Sequence, residues 1–448
     1  VSKEQQNKMG ADSGKTFDSQ GNLIYTGDGY DNIGGEYIKS EGLKDLANQN
    51  ASISVFGDIV TAKRVATIAS QFVYGINEPE SKSTVVGSGT AAIENGNMLV
   101  VRTGTTPGSV MSIETIDPLQ YIPGYEAQIW FTPVYTKPNS LTGYCRAGLF
   151  DDDDGFYIGF APDMVVCRRR AGVEYPVPRA EWNVDKLDGE GPSGVLFDDS
   201  NPMGNIFRIR YGFLGFAGII FEILNENSTI FPFHIIKYPN TSKLTHIANT
   251  YLPGRIEVAN GDVAEDISLG LGSFNMTVVN GDNEKATNRN FSLGVTGETL
   301  TGAYSRRPLI AFRNKTTFQG PLMPSAKINR IGAILQYLNL QLSGQNKGVL
   351  VELISIDSTS EVGGAPFIDK ATTSVLQYST SNLLDYGTYV GGEVLFTFGL
   401  RPSLDKFDEF LESLNMNLRP SKDVVFALTS TTTLAIEYIF TNAWREKY

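Results

Sequence analysis

The chain has 448 residues, with 37 Lys plus Arg against 49 Asp plus Glu, two His and a formal net charge of −12. That balance disfavours a general electrostatic grip on nucleic acid or on an anionic membrane, so neither is an expected partner. Hydrophobic residues at 41% with 19% charged suit an ordered globular protein, and 46 Gly with 20 Tyr and 25 Phe suggest turns between aromatic-bearing strands. Only Cys145 and Cys167 are present, which excludes a disulfide scaffold and leaves either one bridge or two buried thiols. The polar start Val1-Ser2-Lys3-Glu4 lacks a secretion signal's apolar run, and no stretch approaches the roughly 20 apolar residues that span a bilayer. A chain made in a cytosol and staying soluble is therefore expected.

Residues 1–52 are rich in Gly, Asn, Asp and Lys and cannot bury a core alone, so they read as an extended N-terminal arm. Thr61 to Phe72 fits helix or strand, since its alanines permit one and its β-branched residues the other. Short apolar runs between turn signals then predict strands at Asn97–Val101, Ala127–Phe131, Gly155–Phe160, Ile206–Tyr211 and Gly218–Leu224. In Ile206–Tyr211 apolar residues alternate with Arg208 and Arg210, as in a strand with one wet face. The rhythm restarts after residue 300 with Leu309–Phe312, Val349–Ile354, Val394–Phe398 and Val424–Leu428. One helix is predicted at Ser403–Leu411, where Leu404, Phe407, Phe410 and Leu411 share a face and Ser403 can cap. The expected class is all-β: an arm over 1–52 and two β-sandwich or jelly-roll-like domains over 53–300 and 301–448.

The motifs that suggest chemistry fail on context. Gly10 to Thr16 has three residues between its glycines where a Walker loop has four, and polar residues precede it. Gly189-Glu190-Gly191-Pro192-Ser193-Gly194 has the letters of a dinucleotide loop, but Pro192 removes a donor and no helical pattern follows. The run Asp151-Asp152-Asp153-Asp154 lacks the spaced ligands of a calcium loop and reads as a solvated hairpin turn. His234 and His246 have no zinc spacing and no triad partners, so each reads as a satisfied side chain. No catalytic, cofactor-binding or metal-ligating residue is nominated, and no cofactor is expected. Trp130 and Trp182 offer aromatic faces for sugar stacking, with burial in a core the commoner role.

The stretch Trp182-Asn183-Val184-Asp185-Lys186-Leu187-Asp188-Gly189-Glu190-Gly191-Pro192-Ser193-Gly194 is followed by Ile206–Leu214, Gly215–Phe221, His234, Asn240 and Tyr251–Glu257. This order resembles an uncharacterised family of virion structural proteins of tailed phages and large DNA viruses. The upstream turn Gly148–Tyr157 and the downstream Arg307–Arg313, Gly391-Gly392 and Trp444-Arg445-Glu446 are similar too, so the resemblance runs from about residue 53 to the end. Phe213, where the family pattern has Trp, and Pro232-Phe233 before His234 depart from it. The resemblance implies a non-enzymatic structural component of a virus particle, assembled in the host cytoplasm, whose partners are other virion proteins and further copies of itself. Its mechanism would be strand addition by the arm and symmetric packing. The alternative is a host-glycan or receptor-binding module of a viral fibre, using Trp130, Trp182 or Tyr157.

Overall fold

In the computed structural model the described residues are 65–77, 80–94, 96–119, 121–279, 288–321, 323–344, 348–357, 367–380, 393–400, 406–410, 417–420 and 422–447, with four short strands before residue 40. Those four are β1 (Thr16–Phe17), β2 (Leu23–Ile24), β3 (Tyr30–Ile33) and β4 (Glu36–Lys39), pairing as β1 with β2 and β3 with β4. The rest of the expected arm, including Gly10 to Lys15, lies outside the described residues. Among the described residues helical structure is confined to 3-10 conformation, at Glu80 and at the turn Arg179–Glu181, and no helix is long and apolar enough to cross a membrane. The protein is all-β. It divides into two compact units, Val1–Gly281 and Asp282–Tyr448, so the division falls before the expected residue 300.

The first unit continues with β5 (Val65–Gln71), β6 (Ser81–Val86), β7 (Thr90–Glu94), β8 (Met98–Arg102), β9 (Val110–Thr115), β10 (Glu126–Tyr135) and β11 (Tyr144–Phe150). Next come β12 (Gly155–Phe160), β13 (Met164–Arg170), β14 (Val173–Pro178), β15 (Phe207–Gly212), β16 (Ile219–Leu224), β17 (Ile230–Ile236), β18 (Gly254–Ala259) and β19 (Ser268–Val279). One antiparallel sheet of eight strands has the order β17-β16-β15-β10-β19-β8-β7, with β5 also on β19. The other, of seven, has the order β14-β13-β12-β11-β18-β9-β6. Alternate residues turn inward to a single shared core: Ile129, Phe131, Phe207, Ile209 and Phe221 from one sheet meet Ile113, Leu149, Phe156, Ile158 and Val258 from the other. Across it the rings of Phe156 and Tyr211 are 4.7 Å apart, and the Tyr135 hydroxyl donates to Ile158 O at 2.9 Å. This is a β-sandwich.

Two local expectations change. Of Thr61–Phe72, residues 61–64 lie outside the described residues, and Val65–Gln71 forms strand β5. Ile206–Tyr211 does not have a wet face: Arg208 is 2% exposed, paired with the buried Glu222 across the β15–β16 ladder, and its guanidinium lies 4.6 Å from the Trp130 ring centre. Opposite charges on neighbouring strands allow basic and acidic residues to leave water together.

The second unit holds β20 (Asn288–Asn314), β21 (Thr317–Phe318), β22 (Lys327–Ile328), β23 (Ala333–Gly344), β24 (Val349–Asp357), β25 (Ile368–Asp369) and β26 (Leu376–Thr380). It ends with β27 (Glu393–Leu400), β28 (Lys406–Phe410), β29 (Asn417–Leu418) and β30 (Lys422–Lys447). The two long strands β20 and β30 pair antiparallel with register shifts near Val295, Gly302, Tyr304 and Pro308, and such bulges bend a ladder. Phe426 and Phe440 lie in one strand, where a straight run between them would span about 46 Å at roughly 3.3 Å per residue. Their rings are 5.0 Å apart, so the sheet folds back on itself around its own core. Early in β30, β24 pairs with it; later, β23 does. The expected helix at Ser403–Leu411 is corrected: its described part is β28, paired with β23 through Tyr337↔Phe410 and Leu340↔Phe407. Main-chain pairing to that open strand outweighs a helical side-chain spacing.

Candidate functional site

The residues singled out from sequence do not share a surface. Trp182, 4% exposed, is inside the sandwich, its ring 4.5 Å from that of Phe233 and its indole N–H donating to Val177 O at 3.1 Å. Trp130 alternates with the buried Ile129 and Phe131 and therefore faces outward from the eight-stranded sheet, under Arg208. Tyr157 alternates with the core residues Phe156 and Ile158 and faces outward from the other sheet, where it is 1% exposed beside Phe150 and Cys167. A stacking platform built from these three is excluded, because each lies in a different layer. Cys145 belongs to the inter-sheet core and Cys167 to the outer cluster, so the two thiols are free, buried and on opposite faces of one sheet.

The acidic run is less solvated than expected. Asp151 and Asp154 are 5% and 2% exposed. Asp151 Oδ1 accepts the Asp153 and Asp154 amides at 2.8 and 2.6 Å, and the Asp154 carboxylate accepts those of Ala248 and Asn249 at 2.7 and 3.0 Å. Burial raises the Asp154 pKa despite those bonds. Asp152, by contrast, is exposed and pairs with Arg255 at 2.7 Å. Among the described residues no group of three His, Cys, Asp or Glu side chains is arranged to hold a metal ion.

The outer face of the seven-stranded sheet carries charge that is already neutralised. Arg146 bridges Glu174 and Glu257, each at 2.8 Å; Arg169 pairs with Glu174, and Arg255 with Glu257 at 2.5 Å. Burial alone would raise the Glu257 pKa, but Arg146 and Arg255 outweigh it and hold the carboxyl below its ordinary value.

A different situation holds where β13 and the edge strand β14 of one sheet approach the edge strand β17 of the other. Here a cleft of about 460 Å³ is lined by Arg168 and Arg170 from β13, Tyr175 and Val177 from β14, His234 and Ile236 from β17, and Lys237, Tyr238, Thr241, Ser242 and Leu244 from the following loop. Strand alternation builds it: of the three consecutive arginines, Arg169 turns to the neutralised outer face while Arg168 and Arg170 turn to the cleft. The Arg168 guanidinium sits 3.9 Å from the Tyr175 ring centre and donates through Nη1 to His246 O at 3.0 Å. Arg170 Nε donates to Thr245 O at 2.7 Å. These two bonds orient the guanidinium groups without cancelling their charge. The cleft lining holds no Asp or Glu, and among the described residues no carboxylate pairs with Arg168, Arg170 or Lys237. Tyr175 keeps 46% of its surface in solvent. Val177, Ile236 and Leu244 supply an apolar border, and Thr241 and Ser242 supply hydroxyls.

The Trp182–Gly194 loop is the brace behind this cleft. Trp182 is tied to Val177 of β14, while the Asn183 side chain exchanges two hydrogen bonds with the Ile235 backbone of β17, at 2.8 and 3.0 Å. The amides of Val184 and Asp185 donate to Phe233 O. Asp185, 2% exposed, then closes the loop by accepting the amides of Leu187 and Ser193 at 2.7 and 2.8 Å. A Cβ at Gly191 would come within 2.0 Å of Asp185 Oδ1, so that position needs glycine. Thus the motif that carries the family resemblance holds two sheet edges at a fixed separation.

His234 forms part of the same wall. Its Nδ1 accepts the Asn183 amide at 3.3 Å, which places the proton of the neutral ring on Nε2, and burial lowers its pKa to about 4. It is a neutral donor at physiological pH. His246 is enclosed by Phe156, Tyr211 and Tyr238, and its pKa is likewise lowered to about 4, first by burial.

No protein-family model matches the chain, and no curated protein matches it. Among solved structures, a peanut lectin with a nine-residue peptide is 11% identical, with 48% of this chain and 98% of that one covered at a TM-score of 0.31. An endo-1,3-beta-glucanase from Streptomyces sioyaensis is 9% identical, covering 48% and 96% at 0.33. A protein of unknown function from Shewanella oneidensis is 12% identical, covering 55% and 96% at 0.31. At those scores the overlaps do not bear on function.

Proposed function

We propose that the chain is a non-enzymatic binding protein whose first unit recognises carbohydrate in the cleft between β13–β14 and β17. One observation carries this reading: the cleft joins a half-exposed aromatic ring, Tyr175, to fixed donors and hydroxyls around a space of about 460 Å³. Sugars present apolar C–H faces that pack on aromatic rings and hydroxyls that pair with oriented polar groups. Arg168 covers part of the Tyr175 ring; the exposed remainder is the stacking surface. A carboxylate pair of the kind that cleaves glycosides is not available among the lining residues. The sequence resemblance to virion structural proteins supports the setting we propose for this module, a component of a virus particle meeting a host-surface glycan. Mass spectrometry of density-purified particles tests that setting: a fixed ratio to the major capsid protein supports it, and absence from clean particles refutes it. A glycan array tests the cleft. Binding to a defined set of saccharides, lost in Tyr175→Ala with the melting temperature retained, is expected; binding that survives that change refutes the assignment.

A further inference from the structure

We infer that the saccharide bound by this cleft is acidic, with its anionic group held by Arg170, Lys237 and the free edge of Arg168; the inference rests on the carbohydrate reading above. It starts from a contrast within one sheet. The arginines on the outer face, Arg146, Arg169 and Arg255, each have carboxylate partners at hydrogen-bond distance. Arg168 and Arg170, neighbours of Arg169 in the same strand, have backbone carbonyls instead. A carbonyl fixes the direction of a guanidinium but leaves its unit charge uncompensated, and the fork retains N–H groups for a planar or tetrahedral anion. Lys237 adds a third cation, exposed at the cleft, and the lining has no carboxylate.

The chain as a whole carries −12, so three uncompensated cations together in one cleft are a local reversal of its field. A neutral sugar would not compensate them. An anion on the sugar would, and it would gain charge-assisted hydrogen bonds that a neutral hydroxyl cannot match. Tyr175 then orients the ring while the cations select the substituent. Carboxylate and sulfate ester share this chemistry, so both are candidate substituents.

The test is titration of the full chain with three oligosaccharide probes of matched length: a neutral glucan, a uronate-containing hyaluronan fragment and a sulfated heparin fragment. It is run in low and high salt on wild type, Lys237→Gln, Arg170→Gln and Tyr175→Ala. Lys237→Gln changes an exposed side chain and preserves the fold if Arg170→Gln does not. Acidic probes are expected to bind, to weaken as salt rises, and to weaken about tenfold or more in either cation variant, as loss of a charged hydrogen bond implies. Tighter binding of hyaluronan identifies the carboxylate as the recognised group; tighter binding of heparin identifies the sulfate ester. Equal binding of the neutral glucan, sensitive to Tyr175→Ala but not to Lys237→Gln, overturns the inference while leaving a carbohydrate site in place. Absence of binding to every probe and across the glycan array overturns both. Equal affinity for inorganic polyphosphate also overturns it, since the cleft would then be a general anion site.

Discussion

The brace behind the cleft makes opposite demands on the two aspartates of its own motif. Asp185→Ala removes the acceptor of two buried amides, those of Leu187 and Ser193. Each buried donor left unsatisfied costs about 1–3 kcal/mol, so the loss is about 2–6 kcal/mol, a large part of the roughly 5–15 kcal/mol that holds a domain together. For a unit of this size each kcal/mol lowers the melting temperature by about 2–4 °C, so a fall of about 4 °C at the least is expected. Asp188 is exposed and accepts only the Glu190 amide within its own turn, at 3.1 Å. Asp188→Ala therefore shifts the melting temperature by less than about 2 °C, as surface changes usually do. The assay is scanning calorimetry, in which the transition that moves belongs to the first unit. Equal shifts for the two substitutions would refute the assignment of Asp185 as the closing residue of the loop.

Trp182→Ala, at a 4% exposed position, should destabilise the first unit by about 3–5 kcal/mol, and a stability close to wild type would restore Trp182 as a surface residue. The pKa values of His234 and His246 are lowered by burial to about 4 from an ordinary 6.5, so the unfolded chain binds more protons between those limits. Stability is then full above about pH 6.5 and falls as pH drops, by about 2 kcal/mol per imidazole at pH 5. Melting curves from pH 7.5 to 5 check this: His246→Gln should flatten them by about half, and an equal slope in that variant would contradict the assignment. Burial pushes the Cys145 and Cys167 thiols up to about 12 and about 11, so neither should react with a thiol reagent at pH 8 until the chain unfolds; labelling of the native protein would refute their burial. In the second unit the fully buried Glu446 carboxylate accepts the Val375 amide, the Ser374 hydroxyl and the Trp444 indole N–H. Glu446→Ala should cost that unit about 3 kcal/mol or more by orphaning three donors, and urea denaturation showing no change would count against it.

The strands were legible because burial on one face writes an alternation into the sequence: Ile129, Phe131, Phe207 and Ile209 each point inward between neighbours that face outward. The Trp182–Gly194 motif was also legible as a loop, though its job was not. Its partners, Val177 and Phe233 to Ile235, are supplied by the topology. The cleft was invisible for the same reason, since Arg168 lies in a strand of one sheet and Lys237 follows a strand of the other, in distant stretches of chain. A signal was present in Arg168-Arg169-Arg170, because three consecutive cations in a strand must place some on each face. Phe407 and Phe410 misled at helical spacing because the backbone of that segment had an open strand to join.

The most direct test of the central claim is a crystal structure of the chain with the tightest saccharide from the array. Sugar density is expected against the exposed side of Tyr175, within hydrogen-bond reach of Arg170 and Lys237. Density on the outer face of either sheet, or in the second unit, would contradict it.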